Sequence, residues 1–378
     1  MMIPLVRKSL LFFENSSFLR QSHASLSHYF STKTKIQTVD APTVNDFLLH
    51  KHHFSPEAAS QVASVLTRLK NPEKSDSILS FLKESGFSGT QVEKVVKYRP
   101  EFLLANLEKI IKPKIKIFQD FGFSADDIAE IVSKEPLVLH CSVENRLIPS
   151  LSVLKGLLGS NVEVAKVLKT SGWFLVIDLE KTLVPNVEFL KSCGISNEQI
   201  IRLMPVFPRF FLHKPKDMRK FVEKADEMGV DRSSGMFIYA ARVVSSMNKE
   251  TWELKMKTFQ DLGFSKDDIL RAFRNAPMVF SVSEKKIKKI IEVLLENGKY
   301  DMSCIINNPT SLMYSVENRY KPRLQVLEVL EKRNLLKYWP GFSTMHIMSD
   351  KKFFEKFVAP YLDEVGKIYT AKSVQKRR

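Results

Sequence analysis

Cysteine is scarce in this chain, with three in 378 residues. Cys141, Cys193 and Cys304 lie far apart, with no CxxC pair and no histidine pair nearby. That excludes a disulfide framework and a zinc site as organising devices and leaves each cysteine as a small apolar residue within its segment. No apolar run approaches the roughly 18 residues of a membrane span, so a soluble mature protein with no membrane partner is expected. The Walker, GxGxxG and GxSxG motifs are missing. His50, His52 and His53 cluster, but no acid or cysteine stands beside them at metal-ligand spacing. They read as a solvated helix end. With no catalytic constellation, no cofactor or metal site is expected, and neither is an enzyme acting on a small-molecule substrate.

Acid is also in short supply. Lysine plus arginine number 58 against 42 aspartate plus glutamate, a net charge of +16, which predicts attraction to polyanions. The first 35 residues hold a single acid, Glu14, among Arg7, Lys8, Arg20, Lys33, Lys35 and several serines. That is the composition of an organellar transit peptide. The arginines and the stretch from His28 to Thr32 fit a mitochondrial address, and the serines suit a plastid address as well.

Glycine is sparse too, yet seven of the 13 keep a beat. Gly86, Gly122, Gly159, Gly194, Gly229, Gly263 and Gly298 fall 34 to 37 residues apart. The triplet Gly-Phe-Ser begins at Gly86, Gly122 and Gly263, and Gly-Ile-Ser at Gly194. A proline follows fourteen residues later at Pro100, Pro136, Pro208 and Pro277, and a second proline closes several units at Pro113, Pro149, Pro185 and Pro322. Such a period marks a helical-repeat solenoid, which presents a long surface and favours binding over catalysis.

One unit shows the logic. Gly122 stops a helix because glycine tolerates the left-handed conformation of a C-cap. Ser124 then caps the next helix, with Asp127 in its first turn. Ile128, Ile131 and Val132 bury one face, and Pro136 ends the helix. A third segment opens at Ser142-Val143-Glu144-Asn145-Arg146 and recurs word for word at Ser315-Val316-Glu317-Asn318-Arg319. A looser copy starts at Ser281, where Ser281 and Glu284 make a capping box. Ser88 with Gln91, Ser196 with Gln199, and Ser55 with Pro56 repeat the cap. Two units depart: Gly172-Trp173 replaces one proline, and Ala240-Ala241-Arg242 stands where another is missing. Phe87, Phe123, Phe210 and Phe264 read as core rather than as base-stacking residues.

The wording of these units resembles the mitochondrial transcription termination factor (mTERF) family in its land-plant branch, from about Thr43 to Tyr369. The resemblance implies an all-α, curved superhelix of about 34–36-residue units, each with two α-helices and a short 3-10 turn. It implies a basic groove that holds double-stranded nucleic acid in organelles, in transcription termination, other steps of gene expression or intron splicing. The domains expected are a transit peptide at 1–35, a divergent repeat at 36–75, the array at 76–335, capping helices at 336–370 and a basic tail at 371–378. The protein is expected to be a monomer.

Phosphate binding needs lysines and arginines that recur once per unit. After the connectors they do so at Lys109 and Lys112, Arg146, Lys181, then Lys216, Arg219 and Lys220, then Lys285, Lys286 and Lys288, then Arg319, Lys321 and Arg323. This is the set expected to line the groove. A second, less regular rung is Lys97 and Arg99, Lys134, and Arg274. The partner expected is double-stranded DNA, with structured RNA as the alternative, and a protein-binding scaffold is the reading from a different class.

Overall fold

The computed structural model describes residues 43–66, 68–69 and 71–373. The expected transit peptide and the last five residues of the expected basic tail lie outside them. Every regular element among the described residues is helical and none is a strand, so the chain is an all-α helical-repeat protein. It divides into two compact units, one running to Met218 and the other beginning at Arg219. The division falls within the helix Pro215–Glu227.

In the first unit, the first helices of successive repeats (Pro56–Val65, Gly89–Tyr98, Ala125–Lys134 and Asn161–Thr170) pack side by side in chain order. The expected glycine turn joins the last three to the preceding second helices, at Gly86, Gly122 and Gly159. At Gly122, φ is +84°; its N–H donates to Gln119 O at 2.8 Å and that of Phe123 to Phe118 O at 3.1 Å. The left-handed glycine thus satisfies the last carbonyls of the helix. Ser124 and Asp127 close a capping box, as do Ser88 with Gln91, Ser196 with Gln199, and Ser265 with Asp268. Phe87, Phe123, Phe210 and Phe264 are all buried. Burial of each is worth about 1.5–3 kcal/mol, and the expectation of core packing holds.

The connectors are 3-10 turns at Pro100–Leu104 and Pro136–His140 in the first unit and at Pro277–Ser281 and Pro309–Met313 in the second. Two other connectors of the first unit are α-helical instead, and one of them, Pro208–Phe211, keeps its proline. The other is Trp173–Val176. A side chain at Gly172 would collide with Glu135, so the residue before Trp173 is held to glycine by its neighbour. In the second unit, Phe237–Ser245 leads to the helix Lys249–Asp261 with no 3-10 turn between them.

Two expectations need correction. The second proline does not close a unit. Pro113, Pro149 and Pro322 sit in the first turn of the α-helices Lys112–Asp120, Ile148–Leu158 and Lys321–Lys332. Each follows a π-helical turn, at Leu107–Ile111, Val143–Leu147 and Val316–Tyr320. Proline has no N–H to donate and crowds the carbonyl four residues back, and a widened turn accommodates both. The second correction concerns the looser copy, where Ser283 rather than Ser281 caps the helix Glu284–Leu295, accepting from Lys286 N. Ser281 Oγ instead accepts from Arg242 at 2.9 Å.

A tie between neighbouring repeats was not visible in the sequence. Lys114 Nζ donates to Leu139 O at 2.6 Å, and Asn186 Nδ2 to Phe211 O and His213 O at 3.0 and 2.7 Å. In the second unit Lys255 Nζ donates to Val282 O at 2.6 Å. Each donor stands eight residues before its turn glycine, Gly122, Gly194 or Gly263, and is buried. Each satisfies carbonyls at the end of the next connector, groups that would cost about 1–3 kcal/mol if left buried and unpaired.

Candidate nucleic-acid interface

The connectors carry the chain from the C-terminus of each first helix to the N-terminus of each second helix. The two rungs of basic residues are therefore on the connector edge, and the turn glycines are on the other. Helix N-termini favour anions, which suits the connector edge to phosphate. The first helices end there as well, and their negative ends are met by last-turn cations: Lys97, Lys134, Lys169 and Arg202 in the first unit, Arg242 and Arg274 in the second. The first helices begin at the turn edge with acids in their first turns, Asp126, Asp127, Glu163 and Glu198 in the first unit and Asp267 and Asp268 in the second. The second helices carry the reverse pattern, with Glu108, Glu144 and Asp217 at their starts and Lys83, Lys155, Lys191 and Lys224 in their last turns. A polyanion is therefore drawn to the connector edge by those of its cations that stay exposed.

The expected groove-lining residues separate into three groups. Lys109 and Lys216 in the first unit, and Lys285 and Lys288 in the second, are exposed. These four form no ion pair among the described residues. Arg219 and Lys220 are exposed on the helix Pro215–Glu227.

A second group is exposed or half-buried but paired. Lys112 lies 2.5 Å from Glu108, and Lys321 2.5 Å from Glu317. Arg146 Nη1 and Lys181 Nζ share Asp178 Oδ2, at 3.7 and 3.5 Å. Such pairs contribute about 0–1 kcal/mol in water, so a phosphate can compete for these cations.

The third group is turned inward and corrects the expectation. Arg323 is fully buried; its Nη1 donates to Thr344 O and Met345 O and its Nη2 to Met348 O and Asp350 Oδ1. Arg319 has a side chain only 11% exposed. It donates to His346 O and Met348 O at 2.8 and 2.6 Å and stacks on Tyr314. Burial lowers its basicity. Lys286 Nζ donates to Met313 O at 2.9 Å, and burial pulls its pKa down too. Arg319 and Arg323 clamp the C-terminal helices, and Lys286 ties a connector. These three cations are engaged by carbonyls and by Asp350 within the protein rather than presented at the surface as phosphate ligands.

The second rung is also mixed. Lys134 Nζ meets Glu130 at 2.6 Å and Lys169 O at 2.8 Å, whereas Arg274 is exposed. Lys94 and Tyr98, not singled out from the sequence, line one cleft with Lys97 and Lys134. Only the i, i+3, i+4 spacing of Lys94, Lys97 and Tyr98 could have suggested it.

The histidine cluster is the expected solvated helix end at His50 and His53, which are exposed, but not at His52. His52 is buried, its Nε2 lies 3.1 Å from Asp76, and burial lowers its pKa to about 4. Among the described residues, no group of three or more His, Cys, Asp or Glu is placed to hold a metal ion, and no helix is long and apolar enough to cross a membrane.

No curated protein matches the sequence. The mTERF family profile matches residues 79–148 and 136–354. These spans cover the repeats from the first full unit to the clamped C-terminal helices, and the chain belongs to the mTERF family.

Proposed function

We propose that this chain binds double-stranded DNA in an organelle and regulates its transcription, at termination or a related step. The observation that carries this reading is the set of exposed, unpaired lysines, Lys109 and Lys216 in the first unit and Lys285 and Lys288 in the second, each on the edge where its own unit's second helices begin. Lysines held this way neutralise phosphates and release counterions, so binding is salt-dependent and positions the duplex by its backbone. Family membership supports a nucleic-acid partner, and the basic, serine-rich residues 1–35 support import into a mitochondrion.

The test is crosslinking of tagged protein in purified organelles, followed by sequencing of the recovered nucleic acid. Recovery of DNA from discrete sites is the expected result. Enrichment of intron RNA alone would assign the protein to splicing instead, recovery from plastids would move the compartment, and recovery of neither nucleic acid would overturn the reading.

A further inference from the structure

In the first unit, the helices Pro56–Val65, Gly89–Tyr98 and Ala125–Lys134 border a cleft of about 330 Å³. Lys94, Lys97 and Tyr98 line it from the middle helix, where i, i+3, i+4 spacing sets them on one face. Ser133 and Lys134 enter from the following helix and Gln61 from the preceding one. No carboxylate lines it. The acid beside Lys94, Glu93, is held elsewhere, accepting from Ser55 N and Oγ at 2.7 and 3.2 Å.

Helix C-termini repel anions, and two helices end here. Lys134 is spent on Glu130 and on the carbonyl of Lys169, but Lys94 and Lys97 form no ion pair among the described residues and leave the cleft net positive. Tyr98 is 45% exposed, while the other exposed large apolar side chains among the described residues of the first unit are aliphatic. An aromatic ring kept in water beside unpaired lysines has the two elements of nucleotide recognition, a face for the base and cations for the phosphates. The volume is at the low end of the ~300–1,000 Å³ of small-molecule sites, enough for one nucleotide unit rather than a run.

We propose that this cleft is a nucleotide subsite for single-stranded nucleic acid, with a base stacked on Tyr98 and the flanking phosphates held by Lys94 and Lys97. A base in a duplex has both faces covered, so the ring can take only an unpaired one. The proposal rests on the nucleic-acid reading above and adds a second site on the connector edge, built from first helices rather than second.

The experiment measures binding of the full chain to three labelled probes: a short oligothymidylate, the same backbone without bases, and a duplex. Tyr98→Leu keeps apolar bulk and removes the ring. It is expected to weaken the oligothymidylate by roughly 5- to 100-fold, the range of one lost base stack, with the abasic probe and the duplex unchanged. Tyr98→Phe is expected to bind as the native chain does. Lys94→Gln with Lys97→Gln should lower the salt slope on the single strand by about 1.4, at ~0.7 per phosphate. Equal affinity of the native chain for oligothymidylate and abasic probe would overturn the proposal. So would an equal loss on both probes in Tyr98→Leu. Duplex binding without single-strand binding removes this subsite alone, whereas failure to bind any probe removes the functional reading with it.

Discussion

The pentapeptide Ser-Val-Glu-Asn-Arg occurs twice, at 142–146 and at 315–319, and its two arginines have opposite fates. Both copies begin with a serine cap and form the same π-helical turn. Arg146 then reaches a half-exposed Asp178 at 3.7 Å, its side chain 30% exposed. Arg319 instead lies against the short helix Phe342–His346 and the residues after it, donating to two carbonyls. The backbone is the same; what packs next differs. The first copy is followed by another repeat, and the second by the C-terminal helices, which bring Asp350 and a set of unpaired carbonyls. The shared local sequence therefore gives the shared local conformation, and the following element determines whether a cation is available to a ligand.

Substitution at the clamp breaks this comparison most forcefully. Arg323→Met removes a fully buried guanidinium and four hydrogen bonds, and should cost about 3–5 kcal/mol in denaturant unfolding. Arg146→Met, at the exposed copy, should cost no more than about 1 kcal/mol. Equal losses would mean that the two arginines do the same work.

Acid should act in the same direction on both ends of the described chain. His52 and His346 are buried, and burial lowers the pKa of each from 6.5, to about 4 for His52. The unfolded chain then binds more protons below about pH 6.5. Stability is present above that pH and is lost as the pH falls toward about 4. His52→Gln, followed by thermal unfolding across this window, should flatten the pH dependence; an unchanged slope would show that the histidine is not held neutral.

Next in size are the ties between repeats. Lys255→Met leaves the carbonyl of Val282 without its donor and should cost about 1–3 kcal/mol in unfolding experiments. Exposed Lys257, on the same helix, should tolerate the same change within about 0.5 kcal/mol. The smallest effect sharpens the comparison at the exposed copy. Asp178→Asn frees Arg146 and Lys181 from their shared acid and should tighten duplex binding several-fold at low salt, in a fluorescence titration, because each released cation can neutralise a phosphate.

Local features were legible in the sequence because their causes are local. The turn at Gly122, the cap at Ser124 and the connector at Pro136 each follow from a residue's own backbone limits or from a partner three residues away. The π-helical turns before Pro113, Pro149 and Pro322 were missed because proline was read as a terminator, although the first turn of a helix tolerates it. The cap before Glu284 was misplaced because Ser281 and Ser283 are both within reach of the helix start. The interface was only partly legible. Lys114 and Lys255 look like solvated face residues until the next connector's carbonyls are in place, since a lysine stem buries readily while its ammonium finds a partner. Nothing within the last repeat distinguishes Arg323 from the lysines that stay exposed.

The central claim is that the exposed connector-edge lysines hold the phosphates. The direct test is duplex affinity as a function of salt for the full chain carrying Lys109→Gln, Lys216→Gln, Lys285→Gln and Lys288→Gln together. At ~0.9 per phosphate contact, the log–log slope should fall by roughly 3 to 4 while the melting temperature stays unchanged. A slope equal to that of the native chain would contradict the assignment of these four lysines to the nucleic-acid interface.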